Sequence, residues 1–271
     1  MTATLRAPGY VLGLVGVAVV LAVAFIAFGA APAHAASIPG PTPPAEPGTG
    51  ITVDINGIDG TPSSSILTLL GITVLSVAPA LLLMMSSFTK IFIVLAMTRN
   101  ALSLPSIPPN QVLAGLSLFL TLFIMWPVLT DINTVAVVPY TDGAMTFTDA
   151  MAAGSEPLRT WMLHFTREED LALMTRFAGF ENPEDASAVP LQTLIPAFML
   201  SELRSAFIIG FVIFIPFLVI DLVVSAALMS MGMMMLPPVM ISLPFKILLF
   251  IMVDGWGLIL RTLVQSYAGA G

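Results

Sequence analysis

The run IPAFMLSELRSAFIIGFVIFIPFLVIDLVVSAALMSMGMMMLPP, from Ile195 to Pro238, decides the fold. Between Phe207 and Met235 it carries a single ionisable residue, Asp221. A helix needs about 20 apolar residues to cross a hydrocarbon layer of ~30 Å, and this stretch exceeds that length. Three further blocks meet the same requirement: Ile66 to Met97, Val112 to Thr130 and Val239 to Leu263. Pro79 and Pro216 lie inside the first and third blocks, where each should kink or interrupt the helix.

Composition agrees with the blocks. Of 271 residues 57% are apolar and 9% are charged, against roughly 25% charged in an ordinary soluble domain. The net charge of −7 comes with no basic stripe, which argues against nucleic acid as a partner. The acidity is local. Between Asp131 and Arg204 eleven acidic residues face four arginines, the pattern of a solvated or interfacial segment between apolar ones. The absence of cysteine removes disulfides, thiol nucleophiles and thiolate metal sites.

The N-terminus has the order of a secretory signal: Arg6, an apolar run from Val11 to Phe28, then Ala33-His34-Ala35. Residues 1–35 are therefore expected to be a signal peptide cleaved after Ala35; the alternative is an uncleaved first span. Residues 36–64, which include PGPTPPAEPGTG, are expected to form a flexible extracytoplasmic leader. Residues 65–271 are expected to form the membrane domain. Cleavage would place the new N-terminus outside the cell, with Lys90 and Arg99 on the cytoplasmic side as the positive-inside rule prefers, although Arg261 runs against it.

The acidic region is more than a loop. From Pro157 to Phe180, Leu158, Trp161, Met162, Phe165, Leu171, Leu173, Met174 and Phe177 recur at helical spacing, which predicts an extracytoplasmic amphipathic helix. Thr166 and Glu169 have capping-box spacing, a short and frequent match. The fold class is thus an all-α membrane protein: a signal peptide, about four long apolar helices, kinked or hairpin-like, and an amphipathic extracytoplasmic helical region.

Enzymatic sites find little support. Asp221 and Asp254 sit in apolar blocks and invite an intramembrane aspartyl protease, but their contexts, Ile-Asp-Leu-Val and Val-Asp-Gly-Trp, lack the Gly-x-Gly-Asp pattern. His164 has no His or Cys at ligand spacing, so no metal is expected. No glycine-rich phosphate loop occurs, and no cofactor is expected.

Three strings carry a specific resemblance: SFTKIFIVLAMTRNAL with PPNQVL, between Ser87 and Leu113; the run from Ile195 to Pro238; and LPFKILLFIMVDGW, from Leu243 to Trp256. In this order they resemble the FliP family of the flagellar type III export apparatus, and the likeness runs from about Ser65 to the C-terminus. The injectisome homologues share much of the pattern but usually lack a cleavable signal, which tilts the choice toward the flagellum. The resemblance implies a non-enzymatic subunit of the inner membrane and flagellar basal body, with several copies, a pentamer, joining FliQ and FliR. It further implies contact with FlhB and other export proteins, a raised assembly with apolar surface buried between subunits, and a pore for unfolded flagellar proteins. A small-solute or ion channel is the competing reading.

Candidate site residues follow. Met231, Met233, Met234 and Met235 surround Gly232 ahead of Pro237-Pro238, so soft, unbranched side chains lie between a flexible point and a forced break. Packing or lipid contact is the ordinary reading of such a run. The resemblance places a methionine gasket on Met233, Met234 and Met235. Asp221 and Lys246 are opposite charges across the Pro237-Pro238 break: paired within a subunit they fix a hairpin, and paired between subunits, which the resemblance favours, they fix the ring. Lys246 snorkelling to the surface is the alternative. Glu202 and Arg204, just before the third block, form either a subunit contact or a solvated helix end.

Overall fold

A computed structural model describes residues 72–73, 76–77, 79–180, 188–233 and 235–268. The segments expected to be a signal peptide, 1–35, and a leader, 36–64, lie outside the described residues, as does Met234. The chain divides into two compact units, 1–82 and 83–271. The described residues of the first are helical. In the second, every regular element among the described residues is helical.

Helix α1 spans Phe88–Ala101, with neither Gly nor Pro inside it, and buries Lys90, Ile91, Val94, Leu95, Thr98 and Ala101 on one face. It ends at Ser103, whose φ of 58° places a non-glycine residue in the left-handed conformation that closes many helices. Pro108 and Pro109 precede α2, Asn110–Ile124. Its pattern is inverted relative to a soluble helix: Leu113, Ser117 and Thr121 are buried while Phe119 and Phe123 face outward at 66% and 69% exposure. The small hydroxyl residues pack closely because each donates back to its own helix, Ser117 to the Leu113 carbonyl and Thr121 to that of Ser117, both at 2.7 Å. Such a helix gains little from water as its outer solvent.

After a break at Met125 the chain continues through α3, Trp126–Ile132, a π-helical segment, Asn133–Val137, and α4, Val138–Thr141, bent by 59° from α2. Helix α5, Phe147–Phe165, begins earlier than the expected amphipathic helix, because the Thr146 hydroxyl accepts the Asp149 backbone N–H at 3.3 Å. The expected single helix is in fact two: α5 ends at Thr166 and α6 occupies Glu168–Phe177. Thr166 forms no capping box, since its hydroxyl turns back to the Met162 carbonyl at 2.6 Å. The break also divides the apolar face. Trp161 and Met162 are buried, whereas Phe177 is 74% exposed.

Helix α7, Leu191–Ser230, has 40 residues and passes uninterrupted through Pro196 and Pro216. Each proline removes one backbone bond, but a long ladder in an apolar setting has nothing better to pair with and stays intact. Its first half is embedded, with Leu194, Ala197, Phe198, Ser201, Glu202 and Ala206 buried. Its second half exposes Phe207, Phe211, Val212, Leu222 and Val223. Among the described residues this is the one continuous helix long and apolar enough to span a bilayer; counting each bent pair as one span gives up to three.

The last bent pair is α8, Pro238–Met252, and α9, Gly255–Gln265, at 60°. Asp254 makes the corner in the left-handed conformation, with φ 51°. Gly255 is required beside it: a Cβ there would overlap the Phe250 ring, which is 7% exposed and packs edge-on against Trp256. Gly255→Ala is therefore expected to destabilise the chain by about 1–3 kcal/mol, the usual cost of overpacking, measured as a lowered unfolding midpoint in detergent. An unchanged midpoint would mean that the corner can relax.

Candidate functional site

Helices α7 and α8 are joined by the methionine loop. Gly232 takes φ +75°, which glycine adopts without strain, and the chain then turns into Pro237-Pro238. Met231, Met233 and Met235 are exposed, Met235 almost completely at 98%. In one chain, then, these thioethers have no core to fill.

Beneath the loop, Asp221 of α7 and Lys246 of α8 come together. Lys246 Nζ lies 2.7 Å from Asp221 Oδ2 and also donates to Ser103 Oγ at 2.8 Å and the Ala101 carbonyl at 3.2 Å. All three ammonium protons have acceptors, which is why the side chain can lie buried rather than snorkel. Ser242 donates to Asp221 Oδ1 at 2.6 Å. Within this chain the pair has the hairpin arrangement, clamping α7, α8 and the end of α1. The Asp221 side chain nonetheless retains 37% of its exposure, so one side of the carboxylate faces outward.

Glu202 and Arg204 separate. Glu202 is not at a solvated helix end: it is 1% exposed inside α7, 3.3 Å from Lys90 Nζ, and accepts the Tyr267 phenol on its other oxygen. Arg204 points to α6, with its guanidinium 2.9 Å from Asp170 Oδ1. Asp170 is itself buried and takes the Ser201 hydroxyl at 2.7 Å, which fastens α6 to α7.

Sequence reasoning missed Lys90, Tyr267, Asp170, Ser201 and Ser103. Lys90, which the sequence marked only by its charge, is sealed in the interior at 2% exposure. Its ammonium lies over the Tyr267 ring, 3.6 Å from the centroid, and 5.8 Å from that of Phe165. Trp161 stacks on Tyr267 with centroids 5.5 Å apart. Burial, followed by the Glu202 carboxylate, pushes the Tyr267 phenol well above its ordinary value, so the hydroxyl stays protonated and donates. The signal available in the sequence was Lys90 itself, a charge inside an apolar block that must find an acid.

Asp254 and Arg261 form a looser pair, 3.6 Å apart with both side chains more than 70% exposed. Asp221 is engaged by Lys246 and Ser242, while Asp254 faces Arg261. Among the described residues no group of three His, Asp or Glu is placed to hold a metal ion.

The model of the FliP family matches residues 71–263. The flagellar biosynthetic protein FliP of Bacillus subtilis (strain 168) is 54% identical over 205 residues, covering 76% of this chain and 93% of the relative. The protein of the same name from Pectobacterium carotovorum subsp. carotovorum is 54% identical over 203 residues, covering 75% of this chain and 79% of the relative. That of Caulobacter vibrioides is 48% identical over 200 residues, 73% of this chain and 75% of the relative. The matched residues include the α7–α8 hairpin, its methionine loop and the Asp221–Lys246 and Lys90–Glu202 pairs, and on this footing the chain belongs to the FliP family.

Proposed function

We propose that this chain is a non-enzymatic membrane component of the flagellar export apparatus, and that several copies, five by family resemblance, join FliQ and FliR in a gate for unfolded flagellar proteins. In this reading the assembly sits in the inner membrane at the flagellar basal body, meets FlhB and other export proteins, and receives the chain after removal of residues 1–35. The observation that carries the reading is the methionine loop. Met231, Met233 and Met235 are exposed on a turn whose two flanking helices are clamped by Asp221 and Lys246. A firm base beneath flexible thioethers suits a seal that adapts to many passing sequences and closes to ions.

The inverted helix α2 and the exposed apolar half of α7 support the oligomeric part, since such surfaces need either lipid or another subunit. Glu202 and Arg204 enter as internal supports of that subunit. Replacing Met233, Met234 and Met235 together with Ala is expected to leave assembly intact while the complex leaks small ions, read as dye efflux from reconstituted vesicles. Leu at the same positions keeps the bulk and should retain the seal better while slowing export. Normal assembly of the Ala variant with no added leak would return these residues to plain packing. Ion conduction by an isolated single chain would favour the channel reading instead.

A further inference from the structure

Helix α9 is fixed to the rest of the unit in an unusual way. At its start it hangs from the Asp254 corner, a left-handed residue followed by two glycines in three positions, Gly255 and Gly257. Along its length Ile259 and Leu263 enter the core. Immediately after its end the chain turns, and Tyr267 inserts among α1, α5 and α7, 5% exposed. There the residue does two things at once. Its ring stacks on Trp161 and meets Phe165 edge-on while covering the Lys90 ammonium, and its hydroxyl supplies the second of the two donors that the buried Glu202 carboxylate receives.

Glu202 Oε1 has Lys90 and Oε2 has Tyr267, so removing the phenol hydroxyl alone leaves one carboxylate oxygen buried without a donor. A buried acceptor in that state recovers its bond only by admitting water. The easiest route is outward movement of the turn that carries residue 267, because the Asp254 corner lets α9 rotate away while α1, α5 and α7 remain packed through Ile91, Val94, Trp161 and Phe198. We propose that Tyr267 is a clasp: its hydroxyl bond to Glu202 holds α9 against the helical body, and opening that bond releases α9 as a unit hinged at Asp254-Gly255. The clasp gives the chain a closed and an open position for its last helix, the open one withdrawing Ile259 and Leu263 from the core while the contacts among α1, α5 and α7 persist. It stands independently of the gate reading above, since it concerns contacts within one chain.

Hydrogen exchange on the full chain in detergent micelles tests the clasp by comparing the parent with Tyr267→Phe. Phenylalanine keeps the stacking and the ring over Lys90 and removes only the hydroxyl. The expected result is exchange about tenfold faster for amides 258–265, with those of 195–206 in α7 unchanged, the size of effect that an unsatisfied buried acceptor produces. Unchanged exchange at 258–265 would overturn the proposal. Equal acceleration in both segments would do the same, because it would make Tyr267 an ordinary core contact. Tyr267→Ala should enlarge the local effect; if that variant fails to fold, the Phe variant carries the test alone.

Discussion

Replacing Asp221 with Lys is expected to abolish recovery of the assembled complex, and adding Lys246→Asp in the same chain should restore part of it. The single substitution sets two ammonium groups against each other where Lys246 is only 2% exposed and its other acceptors are a serine hydroxyl and a backbone carbonyl. Loss of one partner from a fully buried pair costs about 3–5 kcal/mol; with Asp221 37% exposed the loss here falls toward the lower end, still a large share of the stability of many domains. The double variant recovers the attraction, yet the carboxylate introduced at position 246 would then face the Ala101 carbonyl, which Lys246 now satisfies at 3.2 Å, and two acceptors repel. The rescue is therefore partial, with a coupling energy of about 1–3 kcal/mol. Yield of the detergent-extracted complex on size exclusion provides the readout, with unfolding of the isolated chain run in parallel. A double variant no better than the single one would show that the two residues act separately.

The second large effect is at the other end of α7. Lys90→Met is expected to destabilise the chain by about 3–5 kcal/mol, because it strands the Glu202 carboxylate in the interior with only the Tyr267 hydroxyl as donor. Adding Glu202→Gln removes the stranded charge, and the double variant should regain much of the loss. The comparison is the Arg261–Asp254 pair, whose side chains are 73% and 72% exposed. Arg261→Met should cost less than about 1 kcal/mol, since water already solvates both groups and screens their attraction. Denaturant midpoints of the parent and these three variants decide the matter. If Lys90→Met and Arg261→Met are equally mild, the interior of the Lys90 site is wetter than its burial implies.

The two charge pairs were unequally legible, and the reason is chain separation. Asp221 and Lys246 are 25 residues apart across a forced break at Pro237-Pro238, so a hairpin brings them together almost whatever the rest of the chain does. Lys90 and Glu202 are 112 residues apart, with α2 to α6 and a π-helical segment between them, and no local pattern indicates which acid meets which base. The same distinction separates helices from their ends. Periodicity and apolar length announce α7, but whether it tolerates Pro216 depends on the alternatives open to its neighbouring backbone groups.

What the sequence determined by itself was therefore the solvent, the helical class and the family: uninterrupted apolar runs point to membrane or assembly interiors, runs of about 20 residues there satisfy their backbone as helices, and the ordered motifs from Ser87 to Trp256 are those of FliP. What only the tertiary structure decided was which polar groups are spent inside the chain. Lys90 is a core residue, the amphipathic region breaks at Thr166, and Tyr267 completes the bonding of Glu202 from beyond α9. A charge or hydroxyl in an apolar block must be satisfied, which the sequence states, but the partner that satisfies it is chosen by packing among distant segments, which only the folded chain contains.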